Sequence, residues 1–427
     1  MIIYIVNSGD TLYSIARKFG LTVAELERFN LFNNPQNLSV GQDVLIPVNY
    51  TQHTVQKGES LYSIASEYGI TLDMLLNANP EIRPPYTIYP SQVIMIPESD
   101  TQKKTIAVNG YAYPNINRNT LRQTLPYLTY LSIFSYSVSP NGALNNIDDD
   151  ELISIAKSQR VAPIMVITNT EDGGGFSSDI TQSVLNNQEI RTTLIDNIIN
   201  KALQKGYMGV DVDFEYIYPE DRDNYNEFLT LLGDRLRQNN LRLSTAVAPK
   251  ISATQKGTLY EAHDYAFHGS VVDKIIIMTY EWGYLYGPPM AVAPYNEVRR
   301  VISYATTEIE SQKILMGMPN YAYDWTLPYI KGRSAQILSI NQAISRAFEF
   351  GVEIQFNESS KAPFYEYTQN GVEHIVWFEN ARSTKARLQL INDFNLGGVS
   401  YWTINQFYMQ NWRVLENMFN IEKVLQI

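Results

Sequence analysis

The chain has 427 residues, 44% hydrophobic and 18% charged, with no long polar tract, so two or three globular domains are expected. Its net charge of −11 argues against nucleic acid or an anionic membrane as a partner. It has no cysteine, which excludes disulfides, thiol catalysis and cysteine zinc sites. Its four histidines (His53, His263, His268 and His374) make no metal-ligand spacing, so neither a metal nor a cofactor is expected.

Ile2 to Val6 is too short for the apolar core of a secretory signal, and no basic residue precedes it. Synthesis in the cytosol without a signal peptide is therefore expected. No stretch approaches the ~20 apolar residues of a membrane span.

The first hundred residues contain a repeat of about 49 to 50 residues. Val6-Asn7-Ser8-Gly9-Asp10-Thr11-Leu12-Tyr13-Ser14-Ile15-Ala16 returns as Val55-Gln56-Lys57-Gly58-Glu59-Ser60-Leu61-Tyr62-Ser63-Ile64-Ala65. Each copy reads as strand, helix, helix, strand. Asp10-Thr11 and Glu59-Ser60 sit where helix caps sit. Leu12, Ile15, Ala16 and Phe19 form one apolar helix face, and Asn30 and Asn79 end the second helices. Each copy closes on a short apolar strand and a proline, Val44 to Pro47 and Val93 to Pro97.

These two copies, 1–49 and 50–99, resemble LysM domains. The resemblance implies binding to glycans that contain N-acetylglucosamine, peptidoglycan among them. It places the glycan-binding residues at Gly9, Asp10 and Thr11 and at Gly58, Glu59 and Ser60, facing Asn37 to Val40 and Ile88 to Ser91. Ser91 stands in the second copy where the first has Gly41, so the second groove is expected to differ.

Residues 98–104 are polar and read as a linker. Beyond them, eight apolar runs alternate with helical patterns: Ile106 to Tyr111, Tyr130 to Tyr136, Ala162 to Thr168, Gly209 to Glu215, Arg242 to Pro249, Lys274 to Tyr280, Ile314 to Asn320 and Gly397 to Trp402. Leu194 to Leu203 and Tyr225 to Leu236 are amphipathic stretches between them. Eight strand–helix units predict an α/β fold, a (β/α)8 TIM barrel spanning 100–427. The interval between the seventh and eighth strands is too long. Val352 to Phe356, Phe364 to Tyr367 and Glu373 to Phe378 read there as extra strands, with a hairpin turn at Gln369-Asn370-Gly371. A small α+β insertion is expected.

The fourth run, Gly-Val-Asp-Val-Asp-Phe-Glu at 209–215, carries the chemistry. Asp211, Asp213 and Glu215 recur with the strand period of two and so share a face, while Val210, Val212 and Phe214 point the other way. Crowded carboxylates raise one another's pKa and leave a protonated acid near neutral pH, which is what breaking an acetal requires. A solvated acidic strand or a divalent-metal site is the competing reading. The other barrel strands end in Met278-Thr279-Tyr280-Glu281-Trp282, Asn320-Tyr321 and Tyr401-Trp402, which brings aromatic rings to the same rim.

Residues 105 to 420 resemble glycoside hydrolase family 18, the chitinase-like barrels. The family motif is Asp-Gly-x-Asp-x-Asp-x-Glu, and 209–215 match all but its first Asp, where Met208 stands. Residues 278–281 resemble the family's Met-x-Tyr-Asp, with Glu281 in the place of Asp. The third strand departs from the family's Ser-x-Gly-Gly, running Thr168-Asn169-Thr170-Glu171-Asp172-Gly173-Gly174-Gly175. The resemblance implies substrate-assisted catalysis with retention. Glu215 is then the general acid and base, Asp213 holds the substrate acetamide, Asp211 sits behind it, and Tyr280 orients the acetamide carbonyl. Trp402 floors the sugar site, and Tyr111, Met278, Glu281, Trp282 and Asn320 contact the substrate.

Two LysM copies, these motifs and the Trp377-Phe378-Glu379-Asn380-Ala381-Arg382-Ser383 segment together resemble the spore cortex-lytic glycosidases of endospore-forming bacteria. That resemblance implies an N-acetylglucosaminidase acting on cortex peptidoglycan and located on the spore. A chitinase or chitooligosaccharidase is the first alternative. A glycan-binding lectin without activity is the second, and the presence of both Asp213 and Glu215 speaks against it.

Overall fold

The computed structural model describes residues 1–47, 50–79, 82–97, 103–171 and 173–425. The chain divides into two compact units, Met1–Lys104 and Thr105–Ile427. Residues 98–102 of the expected linker, and Asp172 of the third-strand loop, lie outside the described residues.

In the first copy, strand Ile2–Ile5 pairs antiparallel with Asp43–Ile46, around helices Leu12–Lys18 and Val23–Asn30. In the second, Tyr50–Thr54 pairs with Val93–Pro97, around Leu61–Glu67 and Leu72–Ala78. The cores repeat residue for residue: Leu12, Ile15, Ala16 and Leu26 in one, Leu61, Ile64, Ala65 and Leu75 in the other. Phe19 caps its helix and packs edge-on to Tyr4 at the margin of that core.

A side-chain amide closes each module. Asn30 donates to the carbonyls of Leu26 (3.0 Å) and Leu45 (2.8 Å) and accepts from the Leu45 N–H (2.8 Å). Asn79 does the same with Leu75 and Met95. The amide thus acts as a strand neighbour for the closing strand, which satisfies backbone groups that burial would leave unpaired. Gly41 and Ser91 hold the same left-handed conformation (φ 81° and 71°) and donate to the carbonyls of Val6 and Val55 respectively, so Ser91 carries strain that Gly41 does not.

The second unit is a closed parallel barrel. Its strands are β1 (Thr105–Ala112), β2 (Tyr130–Ser137), β3 (Ala162–Thr168), β4 (Gly209–Asp213), β5 (Arg242–Val247), β6 (Lys274–Ile277), β7 (Ile314–Pro319) and β8 (Gly398–Trp402). Each pairs parallel with the next, and β8 pairs with β1 to close the ring. Across that seam Asn109 donates to the Ser400 hydroxyl (2.9 Å), and on its other side it accepts from Ser132 of β2 (2.9 Å). At least one helix follows every strand, so the expected TIM barrel is present. Ladder pairing stops earlier than the apolar runs suggest: β4 ends at Asp213 and β6 at Ile277, so Glu215 and Tyr280 stand beyond their strands.

Between β7 and β8 lies a five-stranded antiparallel sheet with the helix Ile340–Glu349 against it. Asn370 and Gly371, both left-handed, turn the hairpin of Ala362–Gln369 and Val372–Trp377. Two of its strands, Ala322–Thr326 and Gln336–Leu338, lie in a stretch where the sequence patterning suggests none. Tyr365, Tyr367, Val376 and Phe378 form its core with Ala343 and Ala347.

Replacing Asn30 by alanine leaves one buried N–H and two carbonyls without their partner, a loss of roughly 2–4 kcal/mol. Amide hydrogen exchange at Leu45 in the full chain is expected to quicken accordingly, with exchange in the barrel unchanged.

Candidate active site

A cleft of about 870 Å³ opens at the C-terminal ends of the barrel strands. The row on β4 runs into it. Asp211 is fully buried at the base, where its two oxygens accept from the Tyr111 and Ser244 hydroxyls, each at 2.6 Å. Burial raises its pKa, and those two donors oppose the rise. Asp213 comes next and lines the cleft, with its Oδ1 buried and without a hydrogen-bond partner. Burial first, then the charges of Glu215 and Asp211, push it well above the usual carboxylate range. Glu215 stands at the mouth of the row, where burial and then the Glu281 carboxylate raise it to about 7. No Lys, Arg or His lines the cleft among the described residues, so no cation offsets this crowding.

Tyr280 reaches the same cleft from beyond β6. A Cβ on Gly317 of β7 would stand 2.8 Å from the Tyr280 ring and 2.6 Å from the Ile277 carbonyl, so only glycine lets that ring lie against the barrel wall. Trp402 ends β8 and packs edge-on against Phe134 (4.8 Å) and Tyr111 (5.5 Å), which makes an apolar floor. Met278, Glu281 and Trp282 complete the set expected in the cleft.

Asn320 does not join them. Its amide donates to the carbonyls of Thr403 and Gln406, both at 2.8 Å, and holds the chain after β8. Asp211 also touches no cleft surface and acts from behind. Glu281 stands in a left-handed conformation (φ 66°) and accepts from Tyr321 and from Tyr323 at 3.0 Å. Tyr323 lies on the first strand of the insertion, which therefore braces the rim. The third-strand departure folds into a tight turn bridged from Thr170 to Phe176, with Gly174 and Gly175 facing the cleft.

Two residues with no local signal flank Glu215. Asn169 pairs its amide with the Glu215 backbone, and His263 reaches the Phe214 carbonyl at 2.9 Å. Their partners are 46 and 49 residues away in the chain, beyond any periodicity.

In the repeat modules the expected glycan-binding side chains already have structural tasks. Thr11 and Ser60 cap helices by accepting from Ser14 (3.0 Å) and Ser63 (3.1 Å). Asp10 accepts from the Asn7 N–H and the Tyr4 hydroxyl, and Glu59 from the Gln56 N–H and His53. Gly9 and Gly58 lie on open, left-handed turns beside them.

Residues 101–406 match Glycosyl hydrolases family 18, and residues 4–47 and 53–97 match the LysM domain. The chain belongs to glycosyl hydrolases family 18. It is a glycoside hydrolase that carries two glycan-binding modules. The Cortical fragment-lytic enzyme of Bacillus subtilis (strain 168) is 41% identical over 431 residues, spanning 99% of each chain. The crystal structure of the spore cortex-lytic enzyme SleL of Bacillus megaterium QM B1551 is similar with a TM-score of 0.92 at 37% identity, covering 99% of both chains. A chitinase of Chromobacterium violaceum ATCC 12472 shares the fold, with a TM-score of 0.68 at 23% identity over 73% of this chain and 98% of that one. Among the described residues, no helix is long and apolar enough to cross a membrane.

The raised pKa of Glu215 links the stability of the barrel to pH. Glu215 binds its proton more tightly folded than unfolded, so its contribution favours folding at low pH. That contribution is lost as pH rises from the ordinary 4.5 through about 7. Glu215→Gln removes the buried charge. Calorimetry is expected to show the barrel melting a few degrees higher than wild type at pH 8 and unchanged at pH 4.

Proposed function

We propose that this protein is an N-acetylglucosaminidase of spore cortex peptidoglycan, associated with the spore and acting in germination. The observation that carries the reading is the graded row of Asp211, Asp213 and Glu215 under an aromatic floor, with Glu215 at about 7. A group titrating there is protonated often enough to donate at neutral pH and ionised often enough to accept afterwards. The cortex substrate rests on full-length likeness to the cortical fragment-lytic enzymes.

In the proposed mechanism Glu215 protonates the glycosidic oxygen while the acetamide oxygen of the substrate's own N-acetylglucosamine attacks the anomeric carbon. Asp213, with its unpartnered oxygen, receives the acetamide N–H and stabilises the oxazolinium that forms. Asp211, saturated by Tyr111 and Ser244, fixes the charge behind it. Tyr280 holds the acetamide carbonyl in position for attack. Glu215 then takes a proton from the incoming water, and the configuration is retained. Tyr111, Trp402, Met278, Glu281 and Trp282 shape the site around that sugar. The modules at 1–49 and 50–99 hold the barrel, 100–427, on polymeric glycan.

Mass spectrometry of products from cortex peptidoglycan tests the bond. Fragments with N-acetylglucosamine at the new reducing end are expected from wild type and not from Glu215→Gln. Fragments ending in muramic acid would overturn the assignment, and activity confined to chitin oligomers would favour the chitinase reading.

Deleting residues 1–98 tests the modules. Tethering raises local concentration on a polymer but not on a short fragment. The truncated enzyme is expected to lose tenfold or more on insoluble peptidoglycan and to keep its kcat/KM on soluble fragments.

A further inference from the structure

Regular pairing on β4 ends at Asp213, two residues short of the proton donor. The peptide groups of Phe214 and Glu215 therefore need partners outside the ladder. Side chains supply them from both sides. From the end of β3, Asn169 accepts the Glu215 N–H at 2.9 Å and donates to the Glu215 carbonyl at 2.8 Å. The same amide nitrogen donates to Ser177 at 3.0 Å, and the Ser177 N–H returns to the Asn169 carbonyl at 2.9 Å. Beyond the end of β5, His263 accepts the Ala248 N–H on Nδ1, so its Nε2 carries the proton given to the Phe214 carbonyl. Both side chains are buried, and neither touches the cleft surface. Immediately after Glu215 the chain turns into a left-handed conformation at Tyr216 (φ 54°), a path that a free loop has little reason to keep.

We propose that Asn169 is a positioning residue for the Glu215 proton donor, holding the Glu215 peptide from β3 while His263 holds the preceding carbonyl from β5. Asn169 stands in the stretch where the third strand departs from the family's Ser-x-Gly-Gly. The departure thus supplies a strand-like neighbour for the acid as well as reshaping the rim. The role rests on Glu215 being the proton donor. A displacement of about 1 Å at such a group is enough to cost up to 100-fold in rate.

The test uses the full chain with Asn169→Leu and Asn169→Asp. Both keep the size of the side chain. Leu removes every side-chain hydrogen bond, and Asp keeps the acceptor but loses the donors to Glu215 and Ser177. Soluble cortex fragments are the substrate, and Glu215→Gln is measured alongside. Both variants are expected to fold, to lose 10- to 100-fold in kcat and to change KM less than about twofold. In Asn169→Leu the alkaline limb of kcat/KM is expected to move to lower pH, because a carboxyl released towards water loses the burial that raises it. Folded variants with kcat within twofold of wild type, and a limb unmoved in Asn169→Leu, would overturn the role, as would failure of both to fold, which would make Asn169 a stability residue. If Glu215→Gln itself remains active, the proton-donor assignment fails instead, and the two failures are told apart.

Discussion

Asp211 and Asp213 are buried and Glu215 half-buried within five residues of one strand and its extension, and among the described residues no Lys, Arg or His lines the cleft beside them. Burial disfavours the charged form of each, and each charge disfavours the next. The protein resolves this by giving each carboxyl a different environment. Asp211 accepts from two hydroxyls, which suits an anion. Asp213 has a free oxygen, and burial with the charges of Glu215 and Asp211 pushes it well above the usual carboxylate range. Glu215 stands where burial and Glu281 leave it near neutrality. Carboxyls of one type on one strand are in this way set to different protonation states by what surrounds them.

The rest of the barrel can be understood as support for that row. Asp211 needs Tyr111 from β1 and Ser244 from β5, so it ties strands on either side of the ring. Tyr280 needs a glycine on β7. Glu281, which raises Glu215, is held by Tyr321 after β7 and Tyr323 on the insertion. The insertion is also tied to the loop after β6, through Trp325 donating to the Gly287 carbonyl (2.9 Å) and Ala335 to that of Leu285 (2.7 Å). A sheet that lies between two barrel strands in the sequence therefore reaches the electrostatics of the acid on a third.

The repeat modules solve a different problem. Each is too small to rely on apolar burial alone. Capping boxes at Thr11 and Ser60, turn carboxylates at Asp10 and Glu59, and clamping amides at Asn30 and Asn79 supply the balance. With those side chains committed to the fold, the turns at Gly9 and Gly58 offer mainly backbone groups to a glycan. Tyr13 and Tyr62 stand exposed at equivalent places beside them.

What was legible in the sequence was whatever depends on local period or repetition. The barrel's eight strands, the hairpin at Asn370-Gly371, the doubled modules and the common face of Asp211, Asp213 and Glu215 all follow from spacings of two to four residues or from self-similarity. Tyr280 and Trp402 were legible because barrel strands deliver their C-terminal residues to one rim. Asn320 sits at such an end too, yet its amide turns to the chain after β8, and nothing local distinguishes the two outcomes. The strand Ala322–Thr326 went unread because one of its partners, Val372–Trp377, lies about fifty residues on, and Gln336–Leu338, which pairs with it, is only 3 residues long. By itself the sequence determined which residues could do the chemistry and in what order they lie. Only the tertiary structure decided which of them do meet, since the hydroxyls on Asp211, the phenols on Glu281, and the amide and imidazole on the Glu215 segment come from strands and loops 33 to 100 residues distant. Contacts at that separation are set by how the barrel closes, and closure is a property of all eight strands together.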